Sequence, residues 1–188
     1  MNRGYFRDYD YSNKTVDTCL ELTSLKLSNG QDKILCEINQ NAALAKYLSS
    51  CIDYYEINSF IFVHGWIPTN VSDTYDENWR TGDWKSARWS NGFDMWNKGI
   101  IEKNKTIICG HWNTSYAHSK YHNLGFESYY KALIDNNNSS KSTKELMKMV
   151  HNEPFIDKGI IGIDACTVLS KQVNCIVIEE ENKFEGVI

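Results

Sequence analysis

The sequence has no basic run and no apolar stretch approaching the roughly 20 residues that a membrane-spanning helix requires. Its opening, MNRGYFRDYDYSNKT, lacks the apolar core of a secretory signal peptide, so the NKT and NTS glycosylation sequons further on carry no weight. A net charge of -4 gives no electrostatic reason to expect nucleic acid or an anionic membrane as partner. The six cysteines (Cys19, Cys36, Cys51, Cys109, Cys166, Cys175) include no C-x-x-C pair. Cys109, Cys166 and Cys175 lie inside apolar runs, and free cysteine is among the most buried residue types, so the six are expected to be reduced core residues of a cytoplasmic protein. There is no G-x-S-x-G elbow and no G-x-x-x-x-G-K phosphate loop, which disfavours an activated serine and nucleotide-driven work. No internal repeat is visible.

The chain does contain enough residues, 188, for one domain with a proper core, at an ordinary 41% apolar and 23% charged. Val16, Cys19, Leu20, Thr23 and Leu27 recur at helical spacing over 15–27. A stronger helix is expected over NQNAALAKYLSSCIDYYEI, with Leu44, Leu48, Cys51, Ile52 and Tyr55 on one face and Asn39 as its cap. Four short apolar runs, SFIFVHG, KTIICGH, GIIGIDA and VNCIVIEE, read as buried strands of an α/β protein. The polar, tryptophan-rich stretch 75–96 separates the first two, and a long connection with the loop tip DNNNSSKS separates the second from the third. CTVLSKQ suits a hairpin-like return between the last two. One sheet face covered by helices, with functional loops at the strand ends, is the expected arrangement.

His64 and His111 occupy parallel contexts. IFVHGW and IICGHW each run from strand to turn, with a glycine beside the histidine and a tryptophan close after it. Open α/β sheets bind ligands beyond the C-terminal ends of their strands, so neighbouring strands would aim both imidazoles into one crevice. Neutral imidazole is a ligand for zinc, iron and manganese. A single such histidine is better explained by capping a strand through a loop carbonyl; the repeated context points to a shared metal.

FVHGWIP, then ICGHW, then GIIGIDACTVLSKQVNCIVIEE together resemble the C-terminal half of a calcineurin-like metallophosphoesterase, in the bacterial branch of serine/threonine phosphatases and symmetrical dinucleoside-tetraphosphate hydrolases. The resemblance runs to about Glu180 with its three motifs in order. It implies part of a four-layer β-sandwich flanked by helices, whose two-metal site (manganese, iron or zinc) lies at the strand ends. In the family both motif histidines bind the second metal, which carries onto His64 and His111. The implied substrate is a phosphoprotein, a dinucleoside polyphosphate or a phosphomonoester.

The family's earlier motifs, GD-x-H-G, GD-x-x-D-R-G and GNHE, are not in this sequence; Gly82–Asp83 follows a polar stretch rather than a strand. A dinuclear site needs several oxygen ligands, normally carboxylates, to balance charge and complete coordination. The chain is therefore expected to be a partial domain over 1–188, the C-terminal half, inactive alone and partnered by an N-terminal fragment of the same enzyme. Asn113 is a second departure, since GHWNT would more often read GHWHT in the family. Its carbonyl oxygen is a weaker ligand for a first-metal site.

Other groups admit two readings each. Arg80 and Arg88 lie among Trp79, Trp84, Trp89 and Trp96, where guanidinium would clamp phosphate from a lid. Alternatively the tryptophans form a small core with arginines stacked on them, or the 75–96 stretch serves a non-catalytic binding module. Asp164 either orients a metal-bound histidine or caps the following turn. His118 and His122 are expected on the surface, with a structural zinc site using Cys109 and His111 as the alternative. His151 has no visible partner in the sequence.

Overall fold

Apolar side chains at helical spacing organise the first fifty residues. The computed structural model describes residues 5–12, 14–124 and 150–178, and divides the chain into two compact units, Met1–Ile52 and Asp53–Ile188. In the first unit α1 (Asp8–Ser12), α2 (Thr15–Thr23), α3 (Gln31–Gln40) and α4 (Ala42–Ser50) surround Phe6, Val16, Cys19, Ile34, Leu35 and Ile38. α2 stops short of Leu27 because Ser24 turns left-handed at φ 56°, and Thr23 Oγ1 donates back to the Cys19 carbonyl at 2.8 Å. The single helix expected over 39–57 is not formed. Its first residues end α3, and Asn41 rather than Asn39 caps α4, its Oδ1 accepting from the Leu44 amide at 2.9 Å. Beyond Cys51 the chain becomes a strand.

That strand is β1 (Tyr54–Ile57), followed by β2 (Phe60–Val63), β3 (Thr106–Cys109), β4 (Phe155–Asp157) and β5 (Ile160–Gly162). They form one mixed sheet in the order β1-β2-β3-β5-β4. β1 and β4 are antiparallel partners joined to β2 and β5 through the two-residue turns Asn58–Ser59 and Lys158–Gly159, while β2, β3 and β5 run parallel. The fold is thus mixed α and β, with three of the four expected strands present. The fourth is absent over 173–178: a strand persists only as a paired ladder, and β4 holds the side of β5 away from β3. Cys175, in that run, is exposed with Cys36 and Cys51, so these three are not the core residues expected; Cys19 and Cys109 are buried and Cys166 is half-buried. The expected return at CTVLSKQ is instead a short helix, α8 (Thr167–Ser170). The loop tip 135–142 lies outside the described residues.

Alternation along the strands divides the sheet into two faces. Tyr54, Ile61, Val63, Ile107, Cys109, Phe155 and Ile160 belong to the main core with Trp66, Ile67, Trp79, Trp84 and Phe93. The stretch 75–96 is mostly ordered: a 3-10 turn at Trp79–Thr81, then α5 (Trp84–Ala87) and α6 (Gly92–Asn97). α6 lies against β5 because Gly162 has no side chain; a Cβ there would stand 2.4 Å from the buried Phe93 ring. α7 (Thr114–His122) is tied to α6 by Asp94, whose Oδ1 accepts from Tyr116 at 2.9 Å, Tyr121 at 2.6 Å and Lys120 at 2.8 Å. Burial opposes ionisation of Asp94, but these three donors outweigh it and hold its carboxyl below the usual range. Among the described residues no helix is long and apolar enough to cross a membrane.

Candidate functional site

β2 and β3 are adjacent and parallel, with Val63 opposite Cys109. The next residue of each strand therefore leaves the sheet at the same level. The ladder runs one step further, the Gly110 amide donating to the His64 carbonyl at 3.0 Å. His111 then adopts φ 60°, a left-handed conformation uncommon for a side chain of this size. Its ring comes to 4.8 Å from that of His64, centroid to centroid. A Cβ at Gly110 would meet only the His64 carbonyl oxygen, at an ordinary 3.8 Å, and the positive φ belongs to the histidine rather than to the glycine. Gly65 is needed for a different reason: a Cβ there would sit 2.6 Å from the Ala87 and Arg88 carbonyl oxygens.

His64 is exposed and His111 half-buried. Burial pushes the His111 imidazole below its ordinary range, His64 adds to that, and Asp164 pulls the other way. A neutral imidazole keeps a lone pair available to a metal. Two imidazoles bound tetrahedrally to one ion at about 2.0–2.1 Å have centroids about 5 Å apart, so the 4.8 Å pair fits a single shared ion. Two imidazoles do not by themselves fit two ions. Among the described residues no group of three or more His, Cys, Asp or Glu is arranged to hold a metal.

Trp89 stands edge-on to both rings, at 6.3 Å from His64 and 5.3 Å from His111, with 63% of its surface exposed. It is the wall residue that spacing alone does not separate from its neighbours. Trp79 and Trp84 are core residues stacked around Tyr54, and half-buried Trp96 packs on Tyr121 and Phe155. Trp89 stands two residues past the end of α5, beyond the turn that carries the buried Trp84 and Ala87.

Arg80 lies on the Trp79 ring at 4.3 Å and forms a fork on Glu56, with contacts of 3.0 and 2.8 Å, so its guanidinium is committed within the protein. Arg88 is half exposed and held at one point, Asp53 Oδ1, from Nη2 at 2.6 Å and Nε at 2.8 Å. Asp164 follows β5 beside the pair. Its carbonyl accepts from the Thr114 amide at 2.8 Å and its Oδ1 from the Cys166 amide at 2.7 Å, so the turn-capping role is present. Asn113 caps α7, its Oδ1 accepting from the Tyr116 amide at 3.1 Å and the Ser115 hydroxyl at 2.6 Å. His118 is buried, contrary to the surface position expected of it, while His122 is exposed. No protein-family model, no curated protein and no solved structure matches this chain.

Proposed function

We propose that this chain supplies the C-terminal metal-binding segment of a metal-dependent phosphoester hydrolase of the calcineurin-like type, with His64 and His111 as ligands of one divalent ion. The observation that carries the reading is the 4.8 Å imidazole pair at the ends of two adjacent parallel strands. The five-stranded sheet would be one sheet of a four-layer sandwich. A bound divalent ion supplies Lewis-acid polarisation of a phosphoryl oxygen. The chain's own part is to present two lone pairs from a rigid strand end, to favour the neutral His111 imidazole by burial and to wall the site with Trp89. Arg88, half exposed and held by Asp53 through Nε and Nη2, keeps Nη1 for a phosphate oxygen, whereas Nη1 of Arg80 also faces Glu102 Oε2 at 3.6 Å.

The carboxylate ligands and the bridging group of a two-metal centre would come from a polypeptide bearing the GD-x-H-G, GD-x-x-D-R-G and GNHE motifs. Alone, this chain is then inactive towards phosphomonoesters, dinucleoside polyphosphates and phosphoproteins alike. Manganese titration followed by the loss of the free-ion resonance tests the site. Retention by the native chain and its loss in His64→Ala and His111→Asn support the reading; equal retention in all three would sink it. Asparagine is the informative replacement at 111 because it tolerates the left-handed backbone.

A second reading rests on the exposure of Trp89: a non-catalytic binding module using the 75–96 stretch. It requires that ligand binding fall in Trp89→Ala and be indifferent to manganese and to His64→Ala.

A further inference from the structure

A second group of histidines lies apart from the His64–His111 pair. His118 and His122 are four residues apart on α7, which puts them on one helix face, with ring centroids 5.6 Å apart. His151 comes from the segment before β4, its ring 5.9 Å from that of His118. His118 is only 9% exposed. Its Nε2 lies 3.1 Å from the Glu153 carbonyl oxygen; a carbonyl accepts, so Nε2 carries the proton and Nδ1 carries the lone pair. Nδ1 is itself buried and has no hydrogen-bond partner among the described residues. Buried polar atoms are rarely left in that condition without a reason.

We propose that His118, His122 and His151 form a second metal site that takes one zinc ion through three imidazole nitrogens and leaves a fourth position open. A histidine ligand ordinarily donates its other N–H to a carbonyl or carboxylate, which fixes the tautomer and aims the lone pair. His118 has that arrangement already. Carboxylates also lie near the other two, beyond hydrogen-bond distance: Asp157 Oδ2 is 3.6 Å from His122 Nε2, and Glu153 Oε2 is 3.8 Å from His151 Nδ1. As placed, the three rings do not have a metal's geometry: centroids about 5 Å apart accompany a shared tetrahedral zinc, so the 5.6 and 5.9 Å spacings require the exposed His122 and His151 side chains to turn towards His118. Burial lowers the His118 imidazole below its ordinary range against the opposing hydrogen bond to the Glu153 carbonyl, and the two neighbouring imidazoles add to the lowering. Three histidines and an open position is a zinc donor set suited to holding water or an exogenous ligand.

The site is independent of the phosphoesterase reading and is tested without it. The full chain carrying His64→Ala and His111→Asn is titrated with zinc chloride, and with cobalt(II) as a visible-spectrum probe. One equivalent bound, with the absorption of four-coordinate cobalt, is expected. His122→Gln and His151→Gln, both at exposed positions and each checked for native circular dichroism, should each weaken zinc binding about tenfold or more. No zinc uptake by the doubly substituted chain, or uptake unaffected by either glutamine, overturns the proposal.

Discussion

Single side chains decide most of the chemistry here. Glu56 sits under Arg80 and Lys105, whose hydrogen bonds, the Arg80 contribution first, draw its carboxyl down to about 2. A folded value below the unfolded one makes the contribution full above about 4.5 and lost as the pH falls from there towards 2. Glu56→Gln is expected to cost about 1 kcal/mol at neutral pH, because Arg80 is 39% exposed and solvent screens the pair. Urea midpoints of the native and variant chains should differ at pH 6 and draw together as the pH falls from about 4.5 towards 2; a gap independent of pH would contradict the ion-pair account. The same contacts explain why Arg80 and Arg88 cannot be told apart in sequence. Their partners, Glu56 and Asp53, are 24 and 35 residues away.

At the level of elements, the start of α7 separates two roles for one residue. Asn113→Ala removes an N-cap and should lower stability by about 1 kcal/mol, while Asn113→Asp, which retains the accepting oxygen, should lose little. If Asn113 also served a metal, alanine would weaken manganese retention beyond what the loss of stability explains, and calorimetry of both variants distinguishes the cases. Gly162→Ala is the sharper test of packing. The new methyl would meet Phe93, which is fully buried and has nowhere to turn, so a loss of about 1–3 kcal/mol is expected in thermal unfolding. β2, β3 and β5 form from apolar runs that are easy to read, although which of them pair is not. β1 and β4 are harder. Tyr54–Ile57 continues a helical spacing, and Phe155–Asp157 is only three residues long; each becomes a strand because a two-residue turn folds it back on a stronger neighbour.

Across the whole molecule the second face of the sheet matters most. Tyr55, Ile57 and Ile156 are exposed at 53%, 37% and 61%, in register with the half-buried Phe60, Phe62 and Ile161. An apolar band of this kind favours association. Sedimentation velocity is expected to show self-association rising with concentration, and Tyr55→Lys with Ile156→Lys to shift the chain towards monomer. A native chain monomeric at every concentration would show that the face needs no cover.

The residues that could make a strand, a cap or a ligand were legible in order along the chain. Local preference and apolar periodicity are properties of neighbouring residues, and they suffice for α2, β2, β3 and β5 and for the identity of His64 and His111 as strand-end imidazoles. Tertiary structure alone decided which of these meet. The 4.8 Å separation of the two rings, the commitment of Arg80 to Glu56, the exposure of Trp89 and the gathering of His118, His122 and His151 all join residues distant in sequence or alike in composition. The physical reason is that side-chain contacts of this kind are fixed by sheet order and helix packing, which arise from burying the whole core at once and leave no mark at the spacing of any one segment.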